Sequence, residues 1–222
     1  MKKCCIAIIT HKDALDGEDE RSFIRALSVF GGKRDIKLVI PYDINTSYFD
    51  KFNYELIFEY VKVDPSWLSS PEAYNRTLCT NEFYTLFSDF EYVLIYQTDC
   101  WVFHDNIDYF LSLNHDYYGA AWPHLNDRVG NGGFSMRKVE KMLYITGKHT
   151  FDNDSIENHS DTWFCITHGD ELDICDLETA CNFSIEVPTE KYLKLLKSTP
   201  MGLHGNGMRK YWNKPYLLFR PR

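Results

Sequence analysis

The 222-residue sequence has no apolar run near the roughly 20 residues that a membrane span requires. Its opening, MKKCCIAIITHKD, has neither the apolar core nor the small-residue cleavage site of a secretory leader. A cytoplasmic protein is therefore expected. The seven cysteines, Cys4, Cys5, Cys79, Cys100, Cys165, Cys175 and Cys181, are odd in number and contain no CxxC pair. That spacing signals neither a zinc site nor a disulfide framework, and buried free thiols are expected instead. Basic residues gather only in short clusters such as KKC and GKR within a formal charge of −8, so nucleic acid is not an expected partner. GxxxxGK[ST] and GxGxxG are both missing, and there is no repeat, low-complexity tract or linker.

What is present is a 44% apolar chain of a length that buries one good core, which favours a single domain over 1–222. Aromatic residues reach 16%, many in polar company as in DYYGAAW and RKYW. Such rings suit stacking on a planar or sugar-like ligand as well as ordinary core packing.

CCIAIIT at 4–10 reads as a strand, and ERSFIRALSVFGG as a helix closed by Gly31 and Gly32. Further strands are expected at 36–41, 55–61 and 92–97. A helix over SSPEAYNRTLCTNEFYTLFSDF is expected before the last of them, opened by serines and Pro71. Near-continuous apolar strands alternating with helices imply an α/β fold with a mostly parallel sheet covered on both faces. Ligands of such sheets bind beyond the carboxyl ends of the strands, which places Thr10 and Asp99 at the expected binding edge. Asp99 either faces a ligand or metal there, or caps the next turn. After residue 105 the texture changes to short segments, including a polar loop around 150–160 and PMGLHGNGMRKYW. GNGGFS in this half implies positive φ or close backbone approach.

In this order the motifs resemble the GT-A class of nucleotide-sugar glycosyltransferases, and more closely a bacterial family assigned to that activity. The resemblance rests on Tyr74-Asn75, Leu78-Cys79, Phe83-Tyr84, Gln97-Thr98-Asp99, Gly130 to Ser135 with Arg137, Asp161 to Phe164, and Pro200 to His204. It covers roughly 70–205. The order is also distantly similar to that of the β-1,4-galactosyltransferases, through YNR at 74–76, GGFS at 132–135 and MGLH at 201–204.

The resemblance implies a GT-A-like, Rossmann-like single domain. Residues 1–105 would form its nucleotide-binding half and 106–222 its donor-sugar and acceptor half. It implies Mn²⁺ or Mg²⁺ held by Asp99 and His204 against the donor diphosphate, a hard cation acting as Lewis acid. Gln97 stands where the family's DxD has its first acid, and Met201 copies a thioether partner of the histidine or merely fills a gap. Thr10, Arg76, Gln97, Asn131, Gly132, Gly133 and Lys210 are the implied donor-binding residues; Arg76 either reaches the diphosphate or is a solvated helix arginine. Asp161 matches the general base of inverting relatives, with Ser160 replacing the acid before it. The alternative for Asp161 is the N-cap of a helix beginning DTWFCITHG.

The function so implied is transfer of a hexose from a nucleotide sugar, most simply UDP-linked, to a cell-surface glycan or lipid-linked saccharide at the inner membrane face. A non-catalytic carbohydrate- or nucleotide-binding domain of the same fold is the competing expectation, favoured by Gln97 and Ser160. A nucleotidyltransferase is weaker, because the Gly-rich basic loop it needs is missing after IITHK.

Overall fold

The computed structural model describes residues 2–151 and 159–219. The polar loop expected around 150–160 lies largely outside the described residues. The main sheet contains β1 (Lys2–Ile9), β2 (Asp35–Pro41), β3 (Glu59–Val63) and β4 (Phe90–Tyr96), and β5 (Trp101–Val102) follows in a separate small sheet. Next come β6 (Tyr117–Tyr118), β7 (Ala121–Trp122), β8 (Arg128–Val129), β9 (Phe134–Lys138), β10 (Ser184–Ile185) and β11 (Gly202–Leu203). The helices that matter for the site are α1 (Gly17–Phe30), α2 (Pro71–Thr77), α3 (Asn81–Thr85), α4 (Val139–Lys148) and α5 (Ser160–Thr162).

The main sheet runs β3-β2-β1-β4-β9-β6. β1, β2, β3 and β4 pair in parallel, whereas β9 is antiparallel to both β4 and β6. Period-two alternation divides the apolar residues of each strand between two cores. On β1, Cys4, Ile6 and Ile8 face the core that includes Phe23, Ala26 and Phe30 of α1. Cys5, Ala7 and Ile9 face the one that holds Phe83 and Tyr84 of α3 and Met142 and Ile145 of α4. The sheet is therefore covered on both faces, as its near-continuous apolar strands require. All seven cysteines are free and buried.

Two local expectations are corrected. The third strand begins at Glu59 rather than residue 55, because Tyr54–Leu56 forms a 3-10 turn. Glu55 and Leu56 there have φ of 61° and 53°, a left-handed conformation that no strand accommodates. The single helix expected over 69–90 is two. Thr80 splits it: its hydroxyl donates to the Thr77 carbonyl and accepts from the Phe83 amide, starting α3 afresh. Ser70 caps α2 through the Ala73 amide, with Pro71 in the first turn.

Strand order reverses between β1 and β4, so ligands are expected in the crevice beyond the carboxyl ends of these two strands. β9 enters from that same edge, because its antiparallel register pairs Phe134 with Tyr96. The GNGG segment therefore lies against Gln97, whose backbone amide donates to the Gly133 carbonyl at 3.0 Å. Among the described residues, no helix is long and apolar enough to cross a membrane.

Candidate functional site

A second, three-stranded sheet assembles the polar centre. β11 pairs antiparallel with β5, Leu203 opposite Trp101, and parallel with β10, Leu203 opposite Ile185. The residues one step beyond these pairs, His204 and Glu186, are thereby brought beside Cys100 and Asp99. His204 Nε2 lies 3.4 Å from Asp99 Oδ1 and 3.1 Å from Gln97 Oε1, while Nδ1 faces Glu186 Oε1 at 3.4 Å. Gln97 turns its amide nitrogen the other way and donates to Tyr74 Oη at 2.9 Å.

The His204 side chain is only 11% exposed. Burial works to lower its pKa, but Asp99 and Glu186 outweigh burial and push it up from the ordinary 6.5 to about 9. Burial likewise opposes ionisation of Asp99, yet the hydrogen bond and charge of His204 hold its carboxyl below the usual range. The imidazole therefore rests as a cation between two carboxylates.

Gly133 is what makes room for it. A Cβ at this position would lie 2.0 Å from His204 Nε2. A Cβ at Gly132 would meet Arg137 Nη2 at 2.8 Å and Asp161 Cβ at 2.9 Å. Positive φ is found at Gly17, Gly32 and Gly205 and not in GNGG, so close approach is the reason for these glycines.

Asp161 is not a helix N-cap: His159 occupies that position, and a π-helical turn, Trp163–Thr167, follows α5. Its carboxylate accepts from the Gly132 amide at 3.0 Å through Oδ2 and from the Thr162 amide at 2.8 Å through Oδ1. Each oxygen keeps a second lone pair. Beneath Gly132, the fully buried Arg137 donates to Tyr84 Oη at 2.8 Å and Ser135 Oγ at 3.0 Å, which holds the glycine segment from below.

Two cavities open on this centre. One, of about 480 Å³, is lined by Thr10, Lys12, Asp19, Gln97, Asp99 and Arg209, among others. The other, of about 440 Å³, is lined by Trp122, Asn131, Gly132, Asp161, Glu186 and His204, among others. They share Pro71, Tyr74 and Gln97, and both volumes suit small-molecule sites. Thr10, Gln97, Asp99, Asn131, Gly132, Gly133, Asp161 and His204 thus gather along one cleft.

Arg76 and Lys210 do not join them; both are exposed and line neither cavity. On α2 it is Pro71, Tyr74 and Asn75, at i, i+3 and i+4, that face the cleft, which turns Arg76 away. Asn206–Tyr211 is a 3-10 turn in which successive residues point about 120° apart. Arg209, not Lys210, consequently faces inward. Arg209 and Lys12 both pair with Asp19, at 3.1 and 2.7 Å. Met201 is fully buried within the core.

Glu186, Lys12 and Arg209 escape the sequence reading, and Tyr74 enters it only as part of the Tyr74-Asn75 motif, without a role at the site. Glu186 follows FSI, a run too short and too interrupted by Ser184 to be read as a strand, so it carries no signal of the kind that exposes Asp99. Lys12 and Arg209 carry none either, since their convergence depends on tertiary contacts.

A carboxylate and an imidazole that converge with an amide oxygen nearby can hold a divalent cation. Cys100 Sγ is close but does not fit: burial lifts its pKa well above the ordinary value, and it donates to the Gly133 carbonyl.

Sheet order and a cleft at the switch point define a GT-A-like α/β domain. The chain belongs to the family described as Protein of unknown function (DUF5672), which it matches over residues 57–204. In structure it is similar to the glycosyltransferase GlyE of Streptococcus pneumoniae TIGR4, with a TM-score of 0.62 at 14% identity. That match covers 99% of this chain and 60% of GlyE, so the chain spans about three fifths of that protein's length. The apo form of GlyE gives 0.58 at 15% identity over 99% and 59%. Mouse xyloside xylosyltransferase 1, in its apo form, gives 0.62 at 10% identity, covering 92% of this chain and 98% of its own. No curated protein sequence matches the chain.

Proposed function

We propose that the chain is a metal-dependent, inverting glycosyltransferase that moves a hexose from a UDP-sugar to a glycan or lipid-linked saccharide acceptor. The observation that carries this reading is the single cleft with Asp99 and His204 at its centre and Asp161 in the adjoining cavity. Likeness in fold to GlyE and the xylosyltransferase supports it. In this reading the Asp99 cavity takes the nucleotide diphosphate and the Asp161 cavity takes the sugar and acceptor. Lys12 and Arg209 supply cationic donors to phosphate oxygens. A divalent cation held by Asp99 and His204 would supply Lewis-acid stabilisation of the departing diphosphate. His204 must shed its proton to serve as a ligand. Asp161 takes the acceptor hydroxyl's proton, with the amides of Gly132 and Thr162 fixing its orientation.

The deciding experiment incubates the protein with a panel of nucleotide sugars, with and without Mn²⁺, and follows nucleotide release. Release from one donor that stops in EDTA is expected; equal turnover in excess EDTA overturns the metal role. Asp161→Asn should retain donor affinity while turnover falls by on the order of 10²-fold or more. Full activity at an unchanged Tm would remove Asp161 as base.

A non-catalytic carbohydrate- or nucleotide-binding domain is the second reading, favoured by Gln97 Oε1 facing His204 where an acid would hold metal. It predicts binding of a nucleotide sugar with no release from any donor.

A further inference from the structure

A second polar cluster lies outside the cleft, built from three separate elements. His149 follows the last turn of α4. His168 closes the π-helical turn, where its amide donates to the Trp163 carbonyl at 3.1 Å; such turns recur at functional positions. Glu171 ends the 3-10 turn that comes next. His149 Nε2 lies 2.7 Å and His168 Nδ1 3.7 Å from the same oxygen, Glu171 Oε1. Lys148 holds the other oxygen, Oε2, at 2.7 Å. The two imidazoles stack with centroids 4.0 Å apart at 27°, and the Trp163 ring packs edge-on against His168 at 4.7 Å. One ligand atom from each of His149, His168 and Glu171 falls within 4.8 Å of the others.

A lone surface ion pair needs no second histidine aimed at the same carboxylate oxygen. Two stacked imidazoles would repel each other if both were charged, and burial, followed by the charge of His149, keeps the His168 pKa below its ordinary value. A neutral ring has a lone pair to give. Glu171 is held to about 2, first by Lys148 and, after an opposing burial effect, by His149, so it is a carboxylate at any physiological pH. None of the three lines either cleft cavity.

We propose that His149, His168 and Glu171 form a divalent-metal site, distinct from the Asp99 and His204 pair. Two nitrogens and one carboxylate select Zn²⁺ over Mg²⁺ or Ca²⁺, which prefer all-oxygen sites. On binding, His149 Nε2 and Glu171 Oε1 turn from each other to the metal, while Lys148 keeps Oε2. The ion ties residue 149 to residues 168 and 171 and thereby fixes both ends of the segment that carries Ser160 and Asp161. This site does not depend on the transferase reading.

The test is Zn²⁺ titration of the chelator-treated full chain by calorimetry, with Co²⁺ as the spectroscopic probe and Mg²⁺ as the control. His204→Ala removes the cleft pair and should still bind one Zn²⁺ with a rise in Tm that Mg²⁺ does not reproduce. Adding His168→Ala or Glu171→Gln should weaken that binding by more than the about 10–100-fold that loss of a supporting partner costs, and should abolish the Co²⁺ ligand-field bands. Glu171→Gln keeps the shape and supplies the readout should His168→Ala not fold. The proposal is overturned if His204→Ala binds no Zn²⁺, or if affinity and Tm response are the same with and without Glu171→Gln.

Discussion

At the scale of single residues, the site is organised by one imidazole and the glycine that admits it. His204 has a folded pKa of about 9 against an ordinary 6.5. Its ion pairs therefore stabilise the protein fully below pH 6.5, and that contribution disappears as pH rises through about 9. In EDTA, Tm should fall across this interval, and His204→Gln should flatten the slope. Mn²⁺ binding needs the neutral ring, so its affinity should move the opposite way and increase with pH over the same interval. A metal affinity indifferent to pH there would place the ion elsewhere. Gly133→Ala sets a Cβ 2.0 Å from His204 Nε2. Such overpacking costs about 1–3 kcal/mol and displaces the ring, so this variant should lose both the pH slope in calorimetry and the Mn²⁺ affinity in titration.

Elements show where local pattern is enough and where it fails. β1, β2 and β4 are legible because their apolar runs are buried on both faces, and β1 and β4 are followed by Thr10 and Gln97, which line the cleft. The two-residue strands β5, β10 and β11 are too short to carry any periodicity, yet their registers bring Asp99, Glu186 and His204 together. Asp99 and His204 could be read from motif order, whereas Glu186, which depends on the pairing of Ile185 with Leu203, could not. The apolar spacing over 69–90 predicts one helix because it continues across a residue that caps. Thr80 satisfies the Phe83 amide and bonds back to Thr77, a local competition that periodicity does not register. Thr80→Ala should accordingly lower stability by about 1 kcal/mol, seen as a reduced urea midpoint at unchanged m-value. Turnover should hold, since Thr80 lines neither cavity.

Across the whole molecule, the cleft is closed by residues from opposite ends of the chain. Lys12 leaves the loop after β1, Arg209 sits in a turn near the carboxyl terminus, and both converge on Asp19 at the start of α1. Asp19 pairs with both cations where they line the Asp99 cavity, so a diphosphate entering there would meet donors already held in position. Arg76 and Lys210, the basic residues that motif order favours, point away from it. Removing one charge-assisted contact worth about 1.5–3 kcal/mol corresponds to roughly a 10- to 150-fold loss of affinity. Arg209→Ala and Lys12→Ala should each weaken UDP binding on that scale in calorimetric titration, and the loss should shrink at high salt because the contact is partly exposed. Arg76→Ala and Lys210→Ala should leave the dissociation constant nearly unchanged. If those two exposed residues instead cost more than the Asp19-held pair, the diphosphate does not lie in the Asp99 cavity, and the assignment of the nucleotide to that half of the cleft is wrong.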